Sequence, residues 1–111
     1  MLQDGFYHTK LDGPFGKSEG IVVLEKNVLR GGDDMLVYEG SFGQSGASGD
    51  SVAIEADLAA LIYSPKSNQK GEKFQVKCTG TGEGRVFKVT GKFATGEIVS
   101  VQGTFISRLE F

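Results

Sequence analysis

Two residues in this chain carry side chains that neutral-pH acid-base or nucleophilic chemistry most often uses, His8 and Cys78, and each is the single representative of its type. A serine or cysteine nucleophile would need a base beside it, and His8 is the only histidine that could serve. Alternation along the first apolar run puts His8 with Phe6 and Lys10 on an outer face, whereas Cys78 falls on an inner one. They are expected not to meet, leaving a solvated surface histidine and a small buried hydrophobe. A zinc site would have to be assembled chiefly from carboxylates, and no segment has the required ligand spacing. Glu55 and Asp57 stand two apart and could pair as acid and base. A convex outer wall neither excludes water nor raises a carboxylate pKa, so a solvated acidic strand is the plainer account. Gly80-Thr81-Gly82-Glu83-Gly84 leads from one strand pattern into another, without the helix N-terminus or lysine that phosphate binding uses, and reads as a hairpin turn. Gly31-Gly32-Asp33-Asp34 reads as a turn or hinge. The expectation is a non-enzymatic protein with no catalytic residue, no metal and no cofactor.

The elements that carry these residues are strands. Apolar residues recur at every second position in short runs, which is the strand period and not the helical one. The runs are 4–11, 19–26, 27–30, 34–42, 51–58, 72–80, 85–93 and 98–109. Turn-formers separate them: Asp12-Gly13-Pro14, Gly31-Gly32-Asp33, Gly43 to Asp50, Ser64 to Gly71, Gly80 to Gly84 and Thr95-Gly96. Short connections between about eight strands point to a single all-β domain over residues 1–111, a small antiparallel meander barrel. Ala56 to Tyr63 fits either a helical turn or a bent strand end.

Parity separates two faces. Tyr7, Thr9, Leu11, Leu36, Tyr38, Phe42, Val52, Ile54, Ala56, Phe74, Val76, Cys78, Phe87, Val89, Phe93, Val99, Val101 and Phe105 point one way. Glu39, Ser41, Glu55, Lys73, Gln75, Lys77, Lys88, Thr90, Lys92, Ser100, Gln102 and Thr104 point the other way, toward water. An apolar-x-Gly-x-Phe pattern repeats on the inner face at Gly40, Gly91 and Gly103. Glycine inside a strand weakens it, so the repeat implies sharp coiling, room for a neighbouring ring, or space for a ligand. Were the space a cavity, Tyr7, Thr9, Tyr38, Phe42, Val76, Cys78, Phe93 and Phe105 would line it, and the lining would suit an apolar small molecule.

Composition excludes other classes. The 17 glycines among 111 residues follow no triplet period, only 2 residues are proline, and 39% are hydrophobic, so neither a collagen-like nor a disordered chain is in view. One cysteine fits a reducing compartment, and the absence of a basic-then-apolar leader or a long apolar span leads to the expectation of a cytoplasmic protein away from membranes. The formal charge of −2 conceals segregation. Between residues 31 and 65 lie six acids, Asp33, Asp34, Glu39, Asp50, Glu55 and Asp57, and no base. Residues 66 to 92 hold seven bases against two acids. The basic stretch has one arginine and no outward aromatic, which argues against direct nucleic-acid binding. Cross-strand pairing, for instance of Glu55 or Asp57 with Lys73 or Lys77, explains the segregation as well as a partner-steering acidic face does.

Four segments together carry a family likeness. Gly5-Phe6-Tyr7, Glu19-Gly20-Ile21-Val22-Val23, Asn27-Val28-Leu29-Arg30-Gly31-Gly32-Asp33 and Val37-Tyr38-Glu39-Gly40, in this order and spacing, resemble the GrlR-like family, best known for a negative regulator of bacterial type III secretion. The likeness is clearest over residues 5–42. It implies a lipocalin-like (calycin-like) barrel that is dimeric, has no catalytic activity, and regulates by binding a helix-turn-helix transcriptional activator. In that family an acidic loop after the Tyr-x-Gly strand matters for the partner; here the corresponding Gly43 to Asp50 holds one acid, Asp50. Partner contact is therefore expected from an acidic face of Asp33, Asp34, Glu39, Asp50, Glu55 and Asp57. For a homodimer, the apolar residues on the water side are the ones to follow: Phe6, Met35, Val37, Val86, Ile98 and Ile106. An apolar-ligand barrel is the alternative function.

Overall fold

A computed structural model describes residues 1–49 and 51–111, and all of its regular structure is β. The strands are β1 (Gly5–Gly13), β2 (Gly16–Glu25), β3 (Val28–Gly32), β4 (Leu36–Ser48), β5 (Ser51–Ile62), β6 (Lys73–Glu83), β7 (Val86–Lys92) and β8 (Ile98–Ser107). Each pairs antiparallel with its sequence neighbour, and β8 returns to β1, so the sheet closes into an eight-stranded meander barrel. Closure leaves no unpaired strand edge. The molecule is flattened, with extents of 43 × 33 × 20 Å.

Two local readings need correcting, and one left open is decided. The Gly43 to Asp50 segment is not a loop through most of its length: β4 continues to Ser48, pairing Gly43 with Glu55, Gln44 with Ile54 and Ser45 with Ala53. Likewise β6 runs on to Glu83, pairing Gly80 with Val89 and Gly82 with Phe87, so the hairpin turn is confined to Gly84 and Arg85. In both segments small and polar residues mask the alternation, while the facing strand supplies the register. The undecided Ala56 to Tyr63 stretch is strand as far as Ile62, with Ala56, Leu58 and Ile62 buried at strand period. The turn between β2 and β3 consists of Lys26 and Asn27, both left-handed at φ 51° and 63°, which matches the twist of a two-residue hairpin.

Inside, two groups of rings fill the barrel. Phe42 meets Phe87 edge-on at 5.0 Å, and Tyr7 packs 5.5 Å from Phe87 and 5.4 Å from Phe105. At the other end Phe15, from the β1–β2 turn, joins Phe74 and Phe93 at 5.2 and 5.9 Å. The glycines of the repeated motif make this packing possible. A Cβ on Gly103 would enter the Phe87 ring, and one on Gly40 would strike the backbone carbonyl of Asp57. At Gly91 the added carbon would lie 2.7 Å from the Cys78 sulfur and from Val76. Ring packing and close strand approach, not open space, account for these three positions.

Candidate interaction surface

The strand alternation that fills the interior also decides what each wall shows to solvent. On β2 to β5 the outward positions form rows across the sheet. One row runs Ile21, Gly32, Val37, Leu61; the next runs Val23, Arg30, Glu39, Ala59; the third runs Glu25, Val28, Ser41, Asp57. Ile21 is 48% exposed and Val37 45%, and Val28 is exposed two rows further along, beyond Arg30 and Glu39. Half-buried Phe6 on β1 pairs with Val23 and extends the apolar surface. Arg30 and Glu39 cross its centre as an ion pair of 3.4 Å. A shallow trough lies on each side of that pair. One, of about 480 Å³, is lined by Val37, Ala59 and Leu61 together with Lys73; the other, of about 570 Å³, by Val23 and Val28 together with Glu25 and Lys26. Surface apolar residues scattered singly need no explanation, but a contiguous sheet of them does.

The expected dimer markers divide on this surface. Phe6 and Val37 belong to the apolar wall, whereas half-buried Met35 lies in the β3–β4 turn, lining a groove with Pro14 and Phe15. Val86, Ile98 and Ile106 are exposed elsewhere, on β7 and β8. Ile21, Val23, Val28 and Leu61 were not separable by sequence. The run Ile21-Val22-Val23-Leu24 is apolar on both parities, so only pairing with β1 and β3 shows that Val22 and Leu24 face in while Ile21 and Val23 face out.

The six acids do not share one environment. Asp33 is engaged in the β3–β4 turn, where its carboxylate accepts hydrogen bonds from Ser18 Oγ at 2.6 Å and from the amides of Met35 and Leu36 at 2.8 and 3.0 Å. Tyr63 donates to its carbonyl. Asp34 is exposed at the same turn. Glu39 is held by Arg30 on the wall, and Asp57 accepts from Gln75 Nε2 at 3.3 Å. Glu55 is exposed on β5, opposite Gly43 and Thr79, and Asp50 lies outside the described residues. Asp57 and Lys77 are register partners, but among the described residues the ion pairs form on β1–β2 and β3–β4, namely Lys10 with Glu19 and Arg30 with Glu39. The expected Glu55 or Asp57 pairing with lysine is thus replaced by a neutral contact to Gln75.

The interior positions are occupied by one another. Tyr38 Oη donates to Thr9 Oγ1 at 3.1 Å, and Tyr7 Oη donates to the Gln3 carbonyl at 2.5 Å. Burial pushes both phenols up to about 12, Asp4 adding to the effect at Tyr7. Cys78 faces the core, and burial, helped by Asp57, pushes its thiol up to about 11, the opposite of an activated nucleophile. His8 faces outward 3.8 Å from Glu19, on the other side of the barrel wall from the core. Val76, Phe93 and Phe105 are half-buried and pack against the core cluster that contains Phe42. A separate groove of about 720 Å³ crosses the outside of β1, where Lys10, Lys17 and Lys88 alternate with Asp12, Glu19 and Asp34. Balanced charge gives it no preference for either sign of ligand. A scan against protein-family models gives no match, and a search of curated proteins gives none either.

Proposed function

We propose that this protein is a non-enzymatic regulatory module of the cytoplasm that acts by binding another protein, a transcriptional activator in the case the GrlR-like resemblance implies. The observation that carries the reading is the apolar outer wall of β2 to β5, with Ile21 and Val37 about half exposed and an ion pair at its centre. The fold does not require that wall, because its core is already complete inside the barrel; an apolar surface of this kind is maintained at a cost in solubility and is explained by a protein that covers it. Glu39 and Asp57 stand on or beside the wall and give the surface its acidic component. The alternative of an apolar-ligand barrel draws less support, since the hydroxyls of Tyr7, Thr9 and Tyr38 already have partners and the motif glycines adjoin rings and backbone.

Affinity capture from the native cytosol tests the proposal. Val37→Lys on the apolar wall is expected to abolish retention of a specific protein, whereas Lys88→Glu on the opposite wall leaves it. Equal retention by both variants would overturn the assignment of the contact to this wall.

A further inference from the structure

We infer that the outer face of β6 to β8 is a docking strip for an extended acidic segment of another protein, with carboxylates four residues apart and polar side chains between them. The inference concerns a different face from the apolar wall and holds or fails independently of what that wall binds. Four lysines stand exposed on the strip, Lys73 and Lys77 on β6 and Lys88 and Lys92 on β7. Neither β7 nor β8 contains an acid, and on β6 only its last residue, Glu83, is acidic. Continuing the pairing of Cys78 with Gly91 by one residue brings Lys77 abreast of Lys92, and like charges so placed repel. Asp57 pairs in register with Lys77 but accepts a hydrogen bond from Gln75, and among the described residues none of the four lysines has an ion-pair partner. An anion bridging Lys77 and Lys92 relieves that repulsion. In the next row Thr79 and Thr90 are register partners and add two hydroxyl donors.

The shape of the strip selects its occupant. A closed barrel has no free edge, so a segment docks here through side chains on the face and not by strand addition. At about 4.8 Å per strand, β6 to β8 spans about 10 Å. Acids bound it on both sides: Glu55 and Asp57 on β5 pair with Thr79 and Lys77, and Asp12 on β1 pairs with Ser100. A membrane or a nucleic-acid duplex is broader than the strip and would bring phosphates onto those carboxylates, and no outward aromatic is there to stack an unpaired base. One extended polypeptide fits between the borders. Along β6 and along β7 the lysines are four residues apart, about 13 Å, which is the interval at which an extended chain repeats every fourth side chain. Acids at that interval meet the lysine rows, and the residues between them meet threonine.

Fluorescence anisotropy of a labelled peptide that repeats Asp-Thr-Ser-Thr, titrated with the full chain, tests the strip. Wild type is expected to bind it, and the double variant Lys77→Glu, Lys92→Glu to bind it about tenfold more weakly or worse. A peptide of the same composition with its aspartates in one block reaches a single lysine row and is expected to bind less tightly. The double variant is expected in turn to bind a Lys-Thr-Ser-Thr repeat more tightly than wild type does, a gain that an unfolded variant would not show. No binding by wild type, equal binding by the double variant, or equal binding of the block peptide would each overturn the strip. Tighter binding of phosphatidylserine vesicles or of a DNA duplex than of the repeating peptide would overturn the choice of occupant. Val37→Lys is expected to leave peptide binding unchanged, so failure of the strip and failure of the apolar-wall contact are read separately.

Discussion

The two outer walls of the barrel are built on the same alternation and differ only in what the outward positions hold. On β6, β7 and β8 the middle of each strand shows Gln75, Lys77, Thr79, Thr81, Lys88, Thr90, Lys92, Ser100, Gln102 and Thr104, and the exposed apolar residues Val86, Ile98 and Ile106 stand at the strand ends. On β2 to β5 the outward positions include Ile21, Val23, Val28, Val37 and Leu61. Behind both walls the inward residues are apolar and contribute to one core, fully buried at Val22, Leu29 and Phe42 on one side and at Phe87 and Val89 on the other. Burial of the inward set drives folding, so folding alone cannot account for the asymmetry outside. The apolar positions on β2 to β5 are what the proposed protein contact accounts for.

Substitutions that respect this division sharpen it, and the largest effects belong to the shared interior. Phe42→Ala removes a fully buried ring that packs on Phe87 and is expected to cost about 3–5 kcal/mol in chemical denaturation. Gly103→Ala forces a methyl group into the Phe87 ring and is expected to cost about 1–3 kcal/mol, although alanine, the more rigid residue, stabilises where its methyl group fits. Thermal stability equal to wild type would show that the Phe87 ring moves aside freely.

Tyr38→Phe leaves Thr9 Oγ1 without its donor and is expected to cost about 1 kcal/mol at neutral pH. Its pH dependence has a definite sign. The folded phenol is raised from 10.0 to about 12, so the neutral form is favoured by folding, and its contribution is complete below pH 10. As pH rises from 10 to 12 the unfolded chain ionises first and stability falls. Tyr7 acts over the same window and Cys78 between 9.0 and about 11, so alkaline unfolding should set in above pH 9. Tyr38→Phe should flatten that decline. A denaturation midpoint independent of pH between 9 and 12 would contradict the burial of these groups. The smallest effect belongs to the wall: Val37→Lys is expected to change stability by no more than about 0.5 kcal/mol while abolishing retention of the captured protein. A large loss of stability would make Val37 part of the core and erase the contrast between the walls.

How much of this was legible in advance follows from where alternation is clean. Phe87-Lys88-Val89-Thr90-Gly91-Lys92 can be read as strand with its faces assigned, because every apolar residue has a polar neighbour. The β2 run Ile21 to Leu24 cannot, since both faces are apolar, and the wall that it helps form was correspondingly invisible. The acidic run from Asp33 to Asp57 is conspicuous in sequence, yet its members sit at a turn, in an ion pair with Arg30 and beside Gln75. Sequence proximity groups charges, but cross-strand register decides their partners.

The amino-acid sequence alone determined the fold class, the meander order and the inward set outside β2 and β3, because period-two alternation and turn residues are local properties of the chain. It also placed glycine at three inward positions before aromatic residues, without saying why. Tertiary structure decided that Gly103 makes room for a ring and Gly40 for a neighbouring backbone, and that Ile21, Val37 and Leu61 lie in one row. Such juxtapositions depend on the register between strands distant in sequence, and register is fixed only when the barrel closes.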